Sequence, residues 1–557
     1  MKRTSLFPVV LAFAAALAAA APAETGPRPL YFGDGDKIMV LVPHPGDESL
    51  AAAAVLQEAA DLELPVQVVC FTAGAPDETL EPARRLPAPA PASPVAAMQA
   101  ASTRRAEAED AAAALALPDD SLLFLGYPAS ALLPLFLDTW RTSAPLVSPT
   151  RAAATPAAGV RSPRTPYLAP AALDDLAGAI RDFAPTHLFL PAAEDASPDH
   201  RALAAFARVA LWDLAAEGLS PSLYACPVHF PDWPRPFAPD PAAPQTLPDV
   251  YDDDLDPAAI RLAPFQLENK RAAIQSYETL RKTAAPWTDA FLRLTELYVP
   301  LAPLSLAESP ELHLPALTSP RFRTPDDYLD AVAAPESLRT DLIEADATTA
   351  PSANAFLSRT VRLLPDALEI THAFARPPAW NLLLDVALYP WSPATPFADM
   401  PKLRIAATPE SLQTVRDGTA TLADHGIVFS KPAPNAIRLR IPLALLRDPA
   451  KLLLSARILH DATIPLDTLP WLPLEGLAPD GNPPPATPTP AEPAPALEEE
   501  PEPDFALPDF ASFPEPEPEP TPAPPPPEKP AKKTKPPKKA PAPKPRPQTP
   551  ADQIMAW

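Results

Sequence analysis

Apolar and polar positions alternate along the first half of the chain in blocks that read as strand, loop and helix. Lys37 to Val42 is a short, β-branched and apolar run. The polar turn Pro43-His44-Pro45-Gly46-Asp47-Glu48 follows, and then an Ala/Leu-rich stretch from Ser49 to Leu62 with helical character. A second apolar run, Val66 to Phe71, begins after Pro65 and completes a β-α-β unit of the length that a parallel sheet requires. The pattern recurs: Arg104 to Leu117 reads as helix before the strand Ser121–Leu125, and Leu173–Phe183 as helix before Thr186–Leu190. Residues 24–300 are therefore expected to form an α/β domain with a doubly wound, mostly parallel sheet.

The pattern changes after Pro-rich punctuation at 301–322, which reads as a linker. The segments 368–374, 381–389, 402–408, 425–430, 436–446 and 451–459 show period-two alternation, with turns of Pro, Asp, Asn and Gly between them. Residues 323–478 are expected to be an all-β, antiparallel sandwich. Its closing run from Arg438 to Leu459, ending near Trp471, resembles carbohydrate-binding sandwiches of the DOMON and family-nine type. Trp380, Trp391 and Trp471 suit a sugar-stacking platform, but filling the core is the commoner use of tryptophan in a sandwich and is the expectation here.

Composition explains the ends of the chain. Proline accounts for 88 of 557 residues, against a usual ~5%, and glycine for only 13. From 479 to 557 the chain is Pro/Glu-rich and then Pro/Lys-rich; such segments lack the apolar area to offset ordering entropy, so a disordered tail is expected. Its basic end, 529–546, suits either weak contact with an anionic envelope or a plain solvated tether. At the other end, Lys2 and Arg3 precede an apolar stretch that closes on Ala21-Pro22-Ala23, the pattern of a signal peptide over 1–23. A secreted or periplasmic protein follows, with no transmembrane span once the signal is cleaved. A net charge of −24 argues against a nucleic-acid partner. Two cysteines, Cys70 and Cys226, both in apolar runs, exclude a disulfide scaffold, and two buried free thiols are expected.

Chemistry gathers in two loops that lie at the carboxyl ends of strands, where open α/β sheets bind their ligands. His44 and Asp47 form an H-x-x-D pair on the first, and Glu194-Asp195-Ala196-Ser197-Pro198-Asp199-His200 supplies a second imidazole. Two histidines and a carboxylate suit a catalytic zinc with its fourth position open to water. Hydrogen-bonded loop positions would suit the same residues, so spacing alone leaves both readings open.

The motifs go further. Pro43-His44-Pro45-Gly46-Asp47-Glu48 is similar to the PHPDDE signature of the LmbE/PIG-L family of zinc-dependent N-acetylglucosamine deacetylases, and Ser197-Pro198-Asp199-His200 to its later HPDH motif. FTAG at 71–74, RRAE at 104–107, FLGYP at 124–128, VHFPDWPRP around His229 and KRAAIQSY at 270–277 are further echoes, so the resemblance covers about 30–300. It implies Zn2+ held by His44, Asp47 and His200, with Glu48 as a supporting carboxylate. It also implies Arg104 and His229 on the substrate side, and an N-acetylated sugar or glycoconjugate as substrate. Three positions depart from the family pattern. The first-motif aspartate, which serves the family as general base, is Gly46; the first histidine of the second motif is Ser197; and the aspartate after GYP is Ala129. Asp199, Asp195 or Glu194 are the candidates for a substitute base, Asp199 foremost. The alternative reading is a non-catalytic family member that binds a sugar or the envelope.

Overall fold

The computed structural model describes residues 27–74, 94–148, 151–230, 233–251, 255–316, 355–460, 462 and 464–477. The signal peptide expected at 1–23, the tail at 479–557 and the stretch 317–354 lie outside these residues.

The first half runs β1 (Arg28–Pro29), β2 (Ile38–Val42), α1 (Asp47–Ala51), α2 (Ala53–Asp61), β3 (Val66–Thr72), α3 (Pro94–Ala114), β4 (Leu122–Tyr127), α4 (Leu132–Asp138), α5 (Ala169–Phe183), β5 (His187–Pro191), α6 (Pro198–Ala215), β6 (Ser222–Cys226), β7 (Ala258–Arg261), α7 (Pro264–Ser276), α8 (Glu278–Asp289) and β8 (Thr295–Pro300). Its strands form one sheet in the order β1-β7-β8-β6-β5-β2-β3-β4, parallel except where β8 meets β6 and β7. Strand β2 is buried on both faces. Ile38, Val40 and Val42 point into one core with α2, α3 and α7, while Met39 and Leu41 point into another with α4, α5 and α6. That is why the run reads as continuously apolar. The chain leaves β2 toward β3 and β4 on one side and later adds β5 and β6 on the other, so the strand order reverses between β2 and β5. This is the switch point at which doubly wound sheets open a crevice.

The second half comprises β9 (Leu304–Ser305), β10 (Glu311–Pro315), β11 (Phe356–Leu363), β12 (Ala367–Phe374), β13 (Leu382–Trp391), β14 (Leu403–Ala407), β15 (Leu412–Asp417), β16 (Ala420–Thr421), β17 (Val428–Ala433), β18 (Ala436–Pro442), β19 (Lys451–His460) and β20 (Ile464–Glu475). A five-stranded sheet, β10-β11-β12-β18-β17, faces a seven-stranded one, β16-β15-β14-β13-β19-β20-β9. Within 301–322, read from the sequence as a linker, β9 and β10 are strands of these two sheets. Leu312 and Leu314 alternate with Glu311 and His313, but β9 is two residues long and the prolines on either side of these strands mask the pattern.

The two halves share a layer. Leu384, Val386 and Leu388 of β13 point into the sandwich core, whereas Ala387, Tyr389 and Trp391 point into the core that holds α4 and α6. Trp471 joins them, its ring 5.2 Å from Phe136. Polar contacts lock the seam: Trp391 Nε1 donates to Asp213 at 2.6 Å, Trp212 Nε1 to Glu475 at 2.9 Å, and Arg141 pairs with Asp417 at 2.8 Å. Trp391 and Trp471 are thus core residues of the seam, while Trp380 stands 83% exposed. Cys70 and Cys226 are buried free thiols.

Candidate metal centre

Gly46 starts the site. Its φ of +115° lets the chain turn from β2 straight into α1, so that His44 and Asp47, on either side of the turn, face the same point. The backbone N–H of His44 donates to Asp47 Oδ2 at 3.1 Å. Ser197 and Pro198 open α6 and place Asp199 and His200 in its first turn, at the end of the adjacent strand β5. His229 arrives just beyond β6, on the same edge of the sheet.

His44, Asp47 and His200 are all buried, and one ligand atom from each lies within 4.8 Å of the others. Asp47 Oδ2 is 3.4 Å from His44 Nδ1 and 3.2 Å from His200 Nε2. Ligand atoms bonded at about 2.0–2.2 Å around a tetrahedral ion stand roughly 3.3–3.6 Å apart, so these spacings match the edges of a zinc site. The outer nitrogens are held by carboxylates. Asp199 Oδ2 meets His44 Nε2 at 3.1 Å, and Asp195 Oδ2 meets His200 Nδ1 at 3.1 Å. Both carboxylates are fixed in turn. Asp199 accepts the backbone N–H groups of Ser130 and Leu132, and Asp195 those of Ser197 and His229. Carboxylates so placed set the tautomer and ring orientation of a metal-binding imidazole.

Electrostatics favour a cation at the centre. Burial disfavours a charged His200, but Asp195 and Asp47 on either side outweigh it and push the imidazole up to about 9. Burial likewise opposes ionisation of Asp47, yet the His200 imidazole and hydrogen bonds from His200, His229 and His44 hold its carboxyl well below the usual range. Carboxylates arranged this way around imidazoles attract a positive charge, whether proton or metal.

The remaining sequence candidates fall around this cluster. Glu48 is buried and accepts from Tyr277 Oη, Ser49 Oγ and the Gly46 N–H, at 2.7, 2.7 and 2.8 Å, so it braces the turn; burial nonetheless raises its carboxyl. Asp199, the foremost candidate for a substitute base, is engaged with His44 and two backbone donors. Glu194 receives Tyr251 Oη at 3.1 Å. His229 lies with Nε2 3.6 Å from Asp47 Oδ1, its ring edge-to-face with His200 and stacked on Trp287 at 5.1 Å. Arg104 is buried, with Nε 3.6 Å from Glu107.

Sequence reasoning missed Trp287 and Leu280, and it took in Tyr277 only as the end of the KRAAIQSY stretch, without a role. A Cβ on Gly46 would stand 3.1 Å from Leu280 Cδ2 and 3.8 Å from the Tyr277 ring. The space beside residue 46 is filled from α7–α8, far along the chain, and no local pattern announces such a contact.

Three solved structures are among those to which the chain is similar. The A40926 pseudoaglycone deacetylase is 19% identical, with 48% of this chain and 97% of that one covered, at a TM-score of 0.31. The N,N'-diacetylchitobiose deacetylase from Pyrococcus horikoshii is 17% identical, with 48% and 84% covered, at 0.29. The 4-carboxy-2-hydroxymuconate hydratase from Pseudomonas putida is 19% identical, with 45% and 83% covered, at 0.29. No curated protein sequence matches the chain. The family profile described as PIG-L, GlcNAc-PI de-N-acetylase, matches residues 39–211, a stretch that begins inside β2, ends within α6 and contains all three members of the buried triad. Over those residues the chain carries a domain of the PIG-L (LmbE-like) family.

Proposed function

We propose that this chain is an exported zinc-dependent hydrolase that removes an N-acetyl group from an amino sugar or a related amide. The observation that carries the reading is the buried His44–Asp47–His200 triad at the switch point of a PIG-L domain, with Asp199 and Asp195 behind its imidazoles. Two nitrogens and one carboxylate oxygen fit a catalytic zinc, which acidifies a bound water and polarises an amide carbonyl. The chain's own residues provide the frame. Asp199 and Asp195 orient the imidazoles, Glu48 and Tyr277 brace the turn that carries Asp47, and His229 with Trp287 walls the side next to Asp47. The signal-peptide pattern at 1–23 supports export to the periplasm or exterior.

A specific observation favours a second reading, in which the domain keeps its metal and binds sugar or envelope without hydrolysis. Gly46 offers no carboxylate, Leu280 and Tyr277 occupy the adjoining space, and Ser197 stands at the second-motif histidine position. Metal analysis of the full chain, together with acetate release from a panel of N-acetylated sugars, separates the two. Stoichiometric zinc with acetate release supports the hydrolase, and zinc without release across the panel supports the binding protein. Absence of metal from protein prepared in zinc overturns both.

A further inference from the structure

Arg359 on β11 and His372 on β12 are register partners on adjacent antiparallel strands, and both point into the sandwich. Arg359 is 3% exposed and His372 is fully buried. Residues opposite one another in such a ladder have Cβ atoms about 4.5–5.5 Å apart, so the two head groups share one region of the core. Their surroundings are apolar: Val361, Ile370 and Phe374 belong to the same core, and the Phe356 ring lies 5.6 Å from the imidazole.

Among the described residues neither side chain has an acidic partner. Arg359 Nη1 reaches the carbonyl of Leu454 at a long 3.4 Å, where the β19–β20 register shifts. Arg359 Nε and both ring nitrogens of His372 are buried with no hydrogen-bond partner. A guanidinium does not escape this by losing its proton, as a histidine or lysine does. An unpaired buried charge is among the most destabilising features a core can contain, and a single long bond to a carbonyl does not neutralise it. Burial does hold the His372 imidazole in its neutral form, which still presents one N–H donor.

One permanent cation, one neutral N–H donor and no acidic partner make an acceptor-seeking pair. We infer that the Arg359–His372 pair binds a compact monovalent anion, chloride or a formate-sized carboxylate, in the core of the sandwich. A small, singly charged ligand matches the single guanidinium and its apolar walls, whereas a dianion or a bulky organic acid matches neither.

Thermal unfolding of the full-length protein at constant ionic strength tests this, with sodium gluconate replaced stepwise by sodium chloride or by sodium formate. The expected result is a saturable rise in Tm of several degrees with chloride, formate or both. The order of half-saturation concentrations identifies the preferred anion. Arg359→Leu should abolish the dependence. His372→Phe, which keeps the charge and removes the N–H donor, should raise the half-saturation concentration several-fold. Bromide-soaked crystals should show anomalous density within hydrogen-bond reach of the guanidinium. A wild-type Tm indifferent to anion identity overturns the site, as does an unchanged dependence in both variants. If Arg359→Leu does not fold, the bromide density and His372→Phe decide the matter alone.

Discussion

Two buried polar clusters in the α/β half contain similar groups and are built on opposite principles. In the first, Lys270 Nζ meets Glu296 Oε1 at 2.5 Å, and Tyr298 Oη and the Ala54 N–H donate to Oε2 at 2.7 and 3.0 Å. One cation meets one anion and each carboxylate oxygen has its donors, so the cluster is complete. It ties α2, α7 and β8 together. In the second, His44, Asp47 and His200 approach one another at 3.2–3.4 Å with their ligand atoms converging on a common point, and Asp199 and Asp195 stand behind the two imidazoles. Burial alone therefore does not distinguish a functional cluster from a structural one. The difference lies in whether the groups pair off one to one or converge on a single point.

The sharpest way to break that contrast is to remove ligands. His44→Ala, Asp47→Ala and His200→Ala should each reduce zinc from one per chain to below about a tenth, because each deletes one of three protein bonds. Elemental analysis of the purified full chain measures this, and wild-type zinc content in all three variants would refute the assignment. Lys270→Met should show the reverse profile. The uncompensated Glu296 carboxylate should cost about 3–5 kcal/mol in urea unfolding, while the folded fraction keeps its zinc.

Asp199→Asn and Asp195→Asn probe the layer behind the imidazoles and should weaken zinc about 10–100-fold in competition with a chelator. An effect no larger than that of Glu107→Gln, at a carboxylate held by Thr279, would show that these carboxylates do not tune the site. The smallest expected change is at Gly46. Gly46→Ala should cost about 1–3 kcal/mol, because the left-handed backbone there resists a Cβ and Leu280 must give way. Gly46→Asp should suffer the same penalty without a gain in acetate release. A rise in turnover would mean that the turn relaxes enough to accept the carboxylate and that a base at this position had been the missing element.

What the sequence disclosed follows the same division between local and distant causes. Strands β2, β3 and β5 are legible because each is a short apolar run bounded by proline or a turn. His44, Asp47 and His200 are legible because motif and strand end coincide. The longer first helix divides at Ala52, whose φ of −137° is not helical, and alanine carries no pattern that marks such a break. Strand β11 hides because Arg359 occupies an inward position and spoils the alternation. Strand β20 hides because Pro465, Pro470 and Pro473 argue against a paired strand, although it lies between β19 and β9. The contact of Leu280 with the Gly46 turn, and the burial of Trp391 against helices instead of the facing sheet, arise only when distant segments meet.

The shared seven-stranded sheet also sets a timetable for biosynthesis. The α/β half is complete at β8, yet Phe136, Trp140 and Phe206 on its α4–α6 face are covered only when Tyr389, Phe397 and finally Trp471 arrive. At about 5–20 residues per second the ribosome needs roughly ten to thirty seconds to cover that distance. During this interval the nascent chain presents a contiguous aromatic surface, which chaperones must shield.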